Sequence, residues 1–275
     1  MSIFKISLTV ILISGVIFCQ STEYFPGKLN ISPFTANYLE PSTGFALKFG
    51  ENDLRLDIGT SKDVFHEKLK DNIVLSLGAD FFTFTKLQGE TDFHFPVVAV
   101  DYLFGLNAGL KFVEDKYEYG ARLRISHISA HLVDGSYDGI NQKWKNNRNP
   151  IVYSREFIEI FPFIRFNDVR FYAGLTYIFH SSPEDIGKGI FQLGFDYYGS
   201  DLISRSLSPF IAYDYKIAST GKYTPVHTAK AGIKWGERFG AGISLFLAYF
   251  SGKSVHGEFY ELNESYLSAG INIEF

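Results

Sequence analysis

The feature that most constrains this chain is an alternation of period two that runs to its last residue. In Val98, Val100, Tyr102, Phe104, Leu106, Ala108, Leu110 and Phe112 every second residue is apolar, with Asp101, Asn107 and Lys111, Gly105 and Gly109 set between them. Such a segment is a β-strand with two unlike faces. The pattern returns in Val169 to Phe179, interleaved with Arg170, Tyr172, Gly174 and Thr176, and again at 191–197, 207–215, 229–235 and 241–249. Leu267, Ala269, Ile271, Ile273 and Phe275 close the chain on it. Connections sort by parity. Residues 113–116, 167–168 and 236–239 are tight turns, whereas 133–150, 181–188, 216–225 and 251–263 are longer, polar and rich in Gly, Ser and Asn. Short turns on one side and long loops on the other mark a membrane barrel with its long loops outside the cell. A soluble β-sandwich alternates too, but it does not sort its loops this way and its outward face is polar.

The reading is therefore all-β: a transmembrane antiparallel up-and-down β-barrel of about twelve strands. They fall near 44–50, 53–59, 72–84, 96–112, 117–132, 151–166, 169–180, 189–198, 206–215, 226–235, 240–250 and 264–275. The first two are short; if they form a hairpin outside the barrel the count is ten. Lys62 to Lys70 is expected as a short helix at a periplasmic turn. Composition agrees, since 17% aromatic residues rule out disorder and Phe 28, Tyr 17 and Gly 25 suit strands and turns. A net charge of -4 leaves no footprint for nucleic acid. Past the N-terminus no apolar stretch reaches the roughly 20 residues of a helical span.

Residues 1–21 read as a signal peptide: a basic start to Lys5, an apolar run from Ile6 to Cys19, and cleavage near Gln20 or Ser21. A lipidated Cys19 is disfavoured because Phe18, not a small residue, precedes it. Without this leader the chain has no cysteine, which suits export. Residues 22–43 carry three prolines and no period, and read as a periplasmic arm or plug before a barrel over 44–275. A terminal strand ending in aromatic Phe275 resembles the signal by which outer-membrane barrels reach the barrel-assembly machinery.

The inward face holds Arg55, Asp57, Asp80, Asp101, Lys111, Arg122, Arg124, Arg155, Glu159, Arg165, Arg170, Asp196 and Asp214, with Phe82, Phe84, Tyr172, Phe246 and Phe250. Both signs mixed in one interior predict paired charges and a mostly occluded polar lumen rather than an open porin. Arg122 and Arg124 are read as charge partners within it.

One strand departs from apolar-outward. After outward Tyr117, Tyr119, Ala121, Leu123 and Ile125 the same face carries His127, Ser129 and His131. The next strand descends through outward Val152, Ser154, Glu156 and Ile158. If His131 meets Val152, Ser129 meets Ser154 and His127 meets Glu156, although a slip by two keeps the parity. Ser129 as nucleophile, His127 as general base and Glu156 as orienter then make a triad, since a serine hydroxyl needs an adjacent base and the base an orienting carboxylate. His131 and Ser154 are the neighbouring binding candidates. The plainer account places these groups in the head-group layer, solvated or on lipopolysaccharide phosphates. About 9–11 residues cross a bilayer, and Tyr117 to Ile125 nearly suffice. Set deeper, such groups on a lipid-facing wall are costly and functional by default.

His127-Ile128-Ser129 is similar to the His-x-Ser sites of outer-membrane phospholipase A and of lipid A deacylases, and Arg124-x-x-His127-x-Ser129 to the deacylase spacing. Both families have Asn after the serine, where this chain has Ala130. The resemblance implies hydrolysis of acyl esters of envelope lipids. Calcium enters only with that activity; Glu258, Glu261 and Glu264 are loop acids, and no cofactor is otherwise expected. His66, His94, His227 and His256 show no metal-ligand spacing, and His180 with Ser181 is expected to open a loop. A broader resemblance covers most of 32–200. SPFTANYLEPSTG (32–44), HISAHLVDG (127–135), YSREFIEIFPFI (153–164) and RFYAGLTYIF (170–179) are similar to a bacterial envelope family known only as a domain of unknown function. It implies an outer-membrane barrel and brings no established activity. The leading reading is a barrel with a structural, lipid-interacting or narrow transport role and outer-membrane lipids and lipopolysaccharide as partners; the lipid esterase is the alternative, and a porin comes third.

Overall fold

The computed structural model describes residues 21–145, 148–199, 204, 206–220 and 222–275, so the expected signal peptide lies almost wholly outside the described residues. The fold is an antiparallel up-and-down barrel of 12 strands. They are β1 (Thr43–Lys48), β2 (Asp53–Lys70), β3 (Ile73–Gln88), β4 (Val97–Val113), β5 (Tyr117–Leu132), β6 (Tyr153–Phe166), β7 (Val169–Ser182), β8 (Gly189–Tyr198), β9 (Leu207–Thr220), β10 (Lys222–Gly236), β11 (Gly242–Lys253) and β12 (Asn263–Glu274). Each pairs with its sequence neighbours, and β12 closes on β1 from Ser268↔Lys48 to Ile273↔Thr43. Closure gives every strand a paired neighbour on both sides, as β structure in lipid requires. β1 is short and meets β2 only from Gly44↔Asp57 to Leu47↔Leu54; further along, Ser21–Tyr24 takes over that edge, pairing Ser21↔Lys68 to Tyr24↔Phe65. The outer wall is apolar, with Leu106, Leu175, Leu193, Leu247 and Leu267 all exposed.

The expected count of twelve holds, because β1 and β2 both belong to the wall. Two other expectations change. Lys62 to Lys70 is no helix but the second half of β2, and the register shifts between Asp63 and Phe65 and between Lys68 and Lys70 hide its alternation. Residues 216–225 are not a loop. β9 and β10 run on to Thr220↔Lys222, and Pro225 lies beyond the last β10–β11 pair, His227↔Ser251, where β10 has one neighbour. A strand proline is tolerated at such a place.

The lumen is filled from both ends. From the short-turn end, residues 30–40 run inside the barrel with Asn30, Ile31, Phe34, Asn37, Leu39 and Glu40 buried. Phe34 is 0% exposed, stacked on Tyr172 at 4.2 Å between the guanidiniums of Arg170 and Arg122, at 4.6 and 5.0 Å. Arg122 pairs with Glu40, Arg124 with Glu159 and Arg170 with Asp196, while Arg170 also donates to the Ser32 and Pro33 carbonyls. Buried charges persist only when paired like this. Towards the long loops the lumen turns apolar: Leu103, Ile128, Phe157 and Ile178 cluster with Val255 and Tyr260 of the loop after β11. That loop folds inward, its His256 Nδ1 meeting Asp101 at 2.9 Å and its Gly257 N–H donating to the same carboxylate at 2.7 Å.

Candidate active site

β5 and β6 pair without a slip, from Tyr117↔Phe166 to Ala130↔Tyr153, because both faces are strongly typed. This sets His127 opposite Glu156 and Ser129 opposite Ser154. His127 Nδ1 lies 2.6 Å from Glu156 Oε1. An ionised carboxylate only accepts, so Nδ1 carries the proton, and in the neutral ring the lone pair is then on Nε2, the tautomer a general base needs. Phe104 of β4 stacks on the His127 ring at 5.8 Å and 3°.

Glu156 has a second imidazole that parity concealed. β7 pairs Ile178↔Phe157 and then His180↔Glu156, an irregularity that brings His180 outward beside already outward Phe179. His180 Nδ1 lies 2.5 Å from Glu156 Oε2. The wall thus carries two rungs across three strands. One reads His127, Glu156, His180 and the other Ser129, Ser154, Ser182. Expected as a loop opener, His180 is a strand residue.

Ser129 is half-buried, two residues along β5 from His127 and on the same face; among the described residues its hydroxyl makes no hydrogen bond. The same holds of the Ser154 hydroxyl, whereas Ser182 donates to the Val152 carbonyl at 3.0 Å. His131 is not drawn into this group. β5–β6 pairing stops at Ala130, and His131 sits exposed with its ring 5.9 Å from Tyr102. Ala130 points inward, its Cβ in close approach to Gly257, so the larger Asn of the similar families would displace the inward loop here.

That loop also closes the top of the site. Glu258 accepts from the Leu132 and Ile151 N–H groups, both at 3.2 Å, and so bridges the two strands just past their last pair. Burial pushes its carboxyl above the ordinary range against the pull of those two N–H donors. Glu264 is held by Lys48 and Ser254. Among the described residues no group of three or more His, Cys, Asp or Glu is arranged to hold a metal ion.

Comparison with known proteins agrees with the fold. A family model described as "Protein of unknown function (DUF1207)" matches residues 46–275. No curated protein sequence matches the chain. Among solved structures, outer membrane phospholipase A from Escherichia coli is 12% identical with a TM-score of 0.55, over 88% of this chain and 93% of that one. The Salmonella typhi outer membrane phospholipase, a dimer with bound calcium, is also 12% identical with a TM-score of 0.55, over 86% and 91%. The toluene transporter of Pseudomonas putida is 7% identical at a TM-score of 0.42, over 80% and 69%. The architecture is thus that of bacterial outer-membrane barrels.

Proposed function

The chain belongs to the DUF1207 family, which carries no assigned activity, and from that premise we propose that its chemistry sits on the barrel wall, as an outer-membrane hydrolase of lipid acyl esters. The observation that carries this reading is the 2.6 Å contact between His127 Nδ1 and Glu156, with Ser129 next on the same face. In this mechanism the Ser129 side chain turns its hydroxyl to His127 Nε2, which takes its proton as Oγ attacks the ester carbonyl. Glu156 holds the ring and stabilises the imidazolium. Ser154, across the pair, offers a hydroxyl to the developing oxyanion. His127 then returns the proton to the departing alcohol, and water releases the acyl group by the same path in reverse. The apolar wall presents acyl chains to the site, and the solved phospholipases of this fold bear the matching substrate class in their names.

A second reading, a lipid-interacting wall without chemistry, draws on the Ser129 hydroxyl having no hydrogen bond to His127. The filled lumen supports either reading over a porin. Both place the protein in a bacterial outer membrane after removal of residues 1–21, inserted by the barrel-assembly machinery through Phe275. The test is lipid mass spectrometry of refolded protein with phospholipid and with lipopolysaccharide, with and without calcium. Acyl release is expected from the parent and lower by about 10³ or more in Ser129→Ala. No release by a parent whose folding is confirmed by heat-modifiable gel migration leaves the second reading.

A further inference from the structure

The lumen keeps space that neither the arm nor the inward loop fills. Part of it is a cavity of about 110 Å3 between the arm and the wall of β10, β11, β12 and β1, reaching the turn at Arg238 and Phe239. Its sides are largely aromatic, from Phe210, Phe246, Phe250 and Tyr266. The charged groups on its lining are nearly all engaged. Glu40 has Arg122, Lys48 has Glu264, Arg55 has Asp57, Glu274 has Lys234 and Arg238 has Asp168. Lys230 is left over. Among the described residues its ammonium has no ion pair and no hydrogen bond, and it stands 4.8 Å from the centroid of the Phe246 ring. Two residues earlier on the same inward face of β10, Thr228 is 5% exposed, and its buried Oγ1 has no hydrogen-bond partner. An unpaired cation and an unsatisfied hydroxyl side by side in a low-dielectric space are each costly. A single anionic acceptor between them relieves both.

We propose that this cavity is a binding site for a small monocarboxylate, its carboxylate on the Lys230 ammonium and the Thr228 hydroxyl and its short tail against Phe246 and Phe250. The charge follows from the one leftover cation, and the acceptor from two donors with nothing to donate to. The size follows from the volume, since an apolar cavity of about 150 Å3 takes a benzene-sized molecule; a chain of a few carbons fits and a lipid does not. The site is independent of the wall chemistry.

The experiment is isothermal titration calorimetry of the refolded full chain in non-ionic detergent with sodium butyrate. Acetate and hexanoate serve as the length series, and butylammonium and butanol as charge controls. Saturable one-to-one binding of butyrate is expected, weaker for acetate and hexanoate and absent for butylammonium. Lys230→Met should weaken butyrate by about tenfold or more, the worth of a hydrogen bond to a charged group, and Thr228→Val by about threefold. If Lys230→Met does not fold, as judged by heat-modifiable migration, Thr228→Val and the butylammonium control decide. No saturable heat with any carboxylate would mean that ordered water alone satisfies Lys230 and Thr228, and the proposal falls. Binding unchanged in both variants, or equal for butanol and butyrate, overturns it as well.

Discussion

Glu156 serves two imidazoles at once, and the two are not equivalent. His127 has Ser129 two residues along its own strand, whereas His180 is the more exposed, at 66% against 37%, with Ser182 already spent on a backbone carbonyl. If the wall is a hydrolase, only His127 can act as its base. His127→Ala should then lose acyl release to the level of Ser129→Ala, while His180→Ala, which leaves the carboxylate wholly to His127, should stay within about tenfold of the parent. Release assays on the two variants check this, and equal losses would point to a shared binding role. Glu156→Gln should cost about 10²–10⁴, because an amide can hold the ring in the wrong tautomer and cannot balance an imidazolium. Ser129, His127 and Glu156 were legible in the sequence because each sits on the face that parity assigns it. His180 was not, because the irregularity after Ile178 puts two successive residues outside and breaks that rule.

At the scale of elements the same physics separates what could be read from what could not. Strands with one apolar and one charged face, such as β4 and β7, announce themselves, and their inward Asp101, Arg170 and Tyr172 fall where alternation puts them. β2 defeats the rule after Ser61, since its two register shifts turn a strand into an aperiodic, charged run with helical spacing. Polar composition likewise made the β9–β10 hairpin look like a loop, although pairing alone carries it to Thr220↔Lys222. Inward folding of the loop after β11 leaves no sequence period at all. Its contribution to the site is nonetheless specific, because Glu258 stands in for a missing rung between β5 and β6. Glu258→Ala should unzip that corner by about 1–3 kcal/mol, the cost of leaving partly buried donors unmet. Hydrogen exchange should show it as faster exchange at Leu132 and Ile151 with the lower rungs of β5 and β6 unchanged.

For the whole molecule, the consequence of a doubly filled barrel is that it should not conduct. In planar bilayers the parent should give no channel steps at neutral pH, and removal of residues 26–42 should open measurable conductance. Acid should partly mimic that deletion through Glu40. Burial alone would raise its carboxyl, but Arg122, backed by Arg124 and Arg170, overrides burial and holds it below the ordinary value of 4.5. A carboxyl lowered on folding stabilises fully above its unfolded pKa and loses that contribution as pH falls through the depressed value. Channel activity, if acid releases the arm, should therefore appear only at pH below the ordinary carboxyl value of 4.5 and should be present at higher pH in Glu40→Gln. The arm has one more consequence, which concerns order in time. Thr35 bonds to Asp196, 161 residues ahead, and Asn37 to Lys216, 179 ahead. Contacts so distant along the chain form slowly, because closing the long loop must come first. A segment near the start of the chain is thus bound to wait for nearly all of it, and an assembling wall must hold Arg122 without the Glu40 carboxylate, and Arg170 without the Ser32 and Pro33 carbonyls, until the arm arrives.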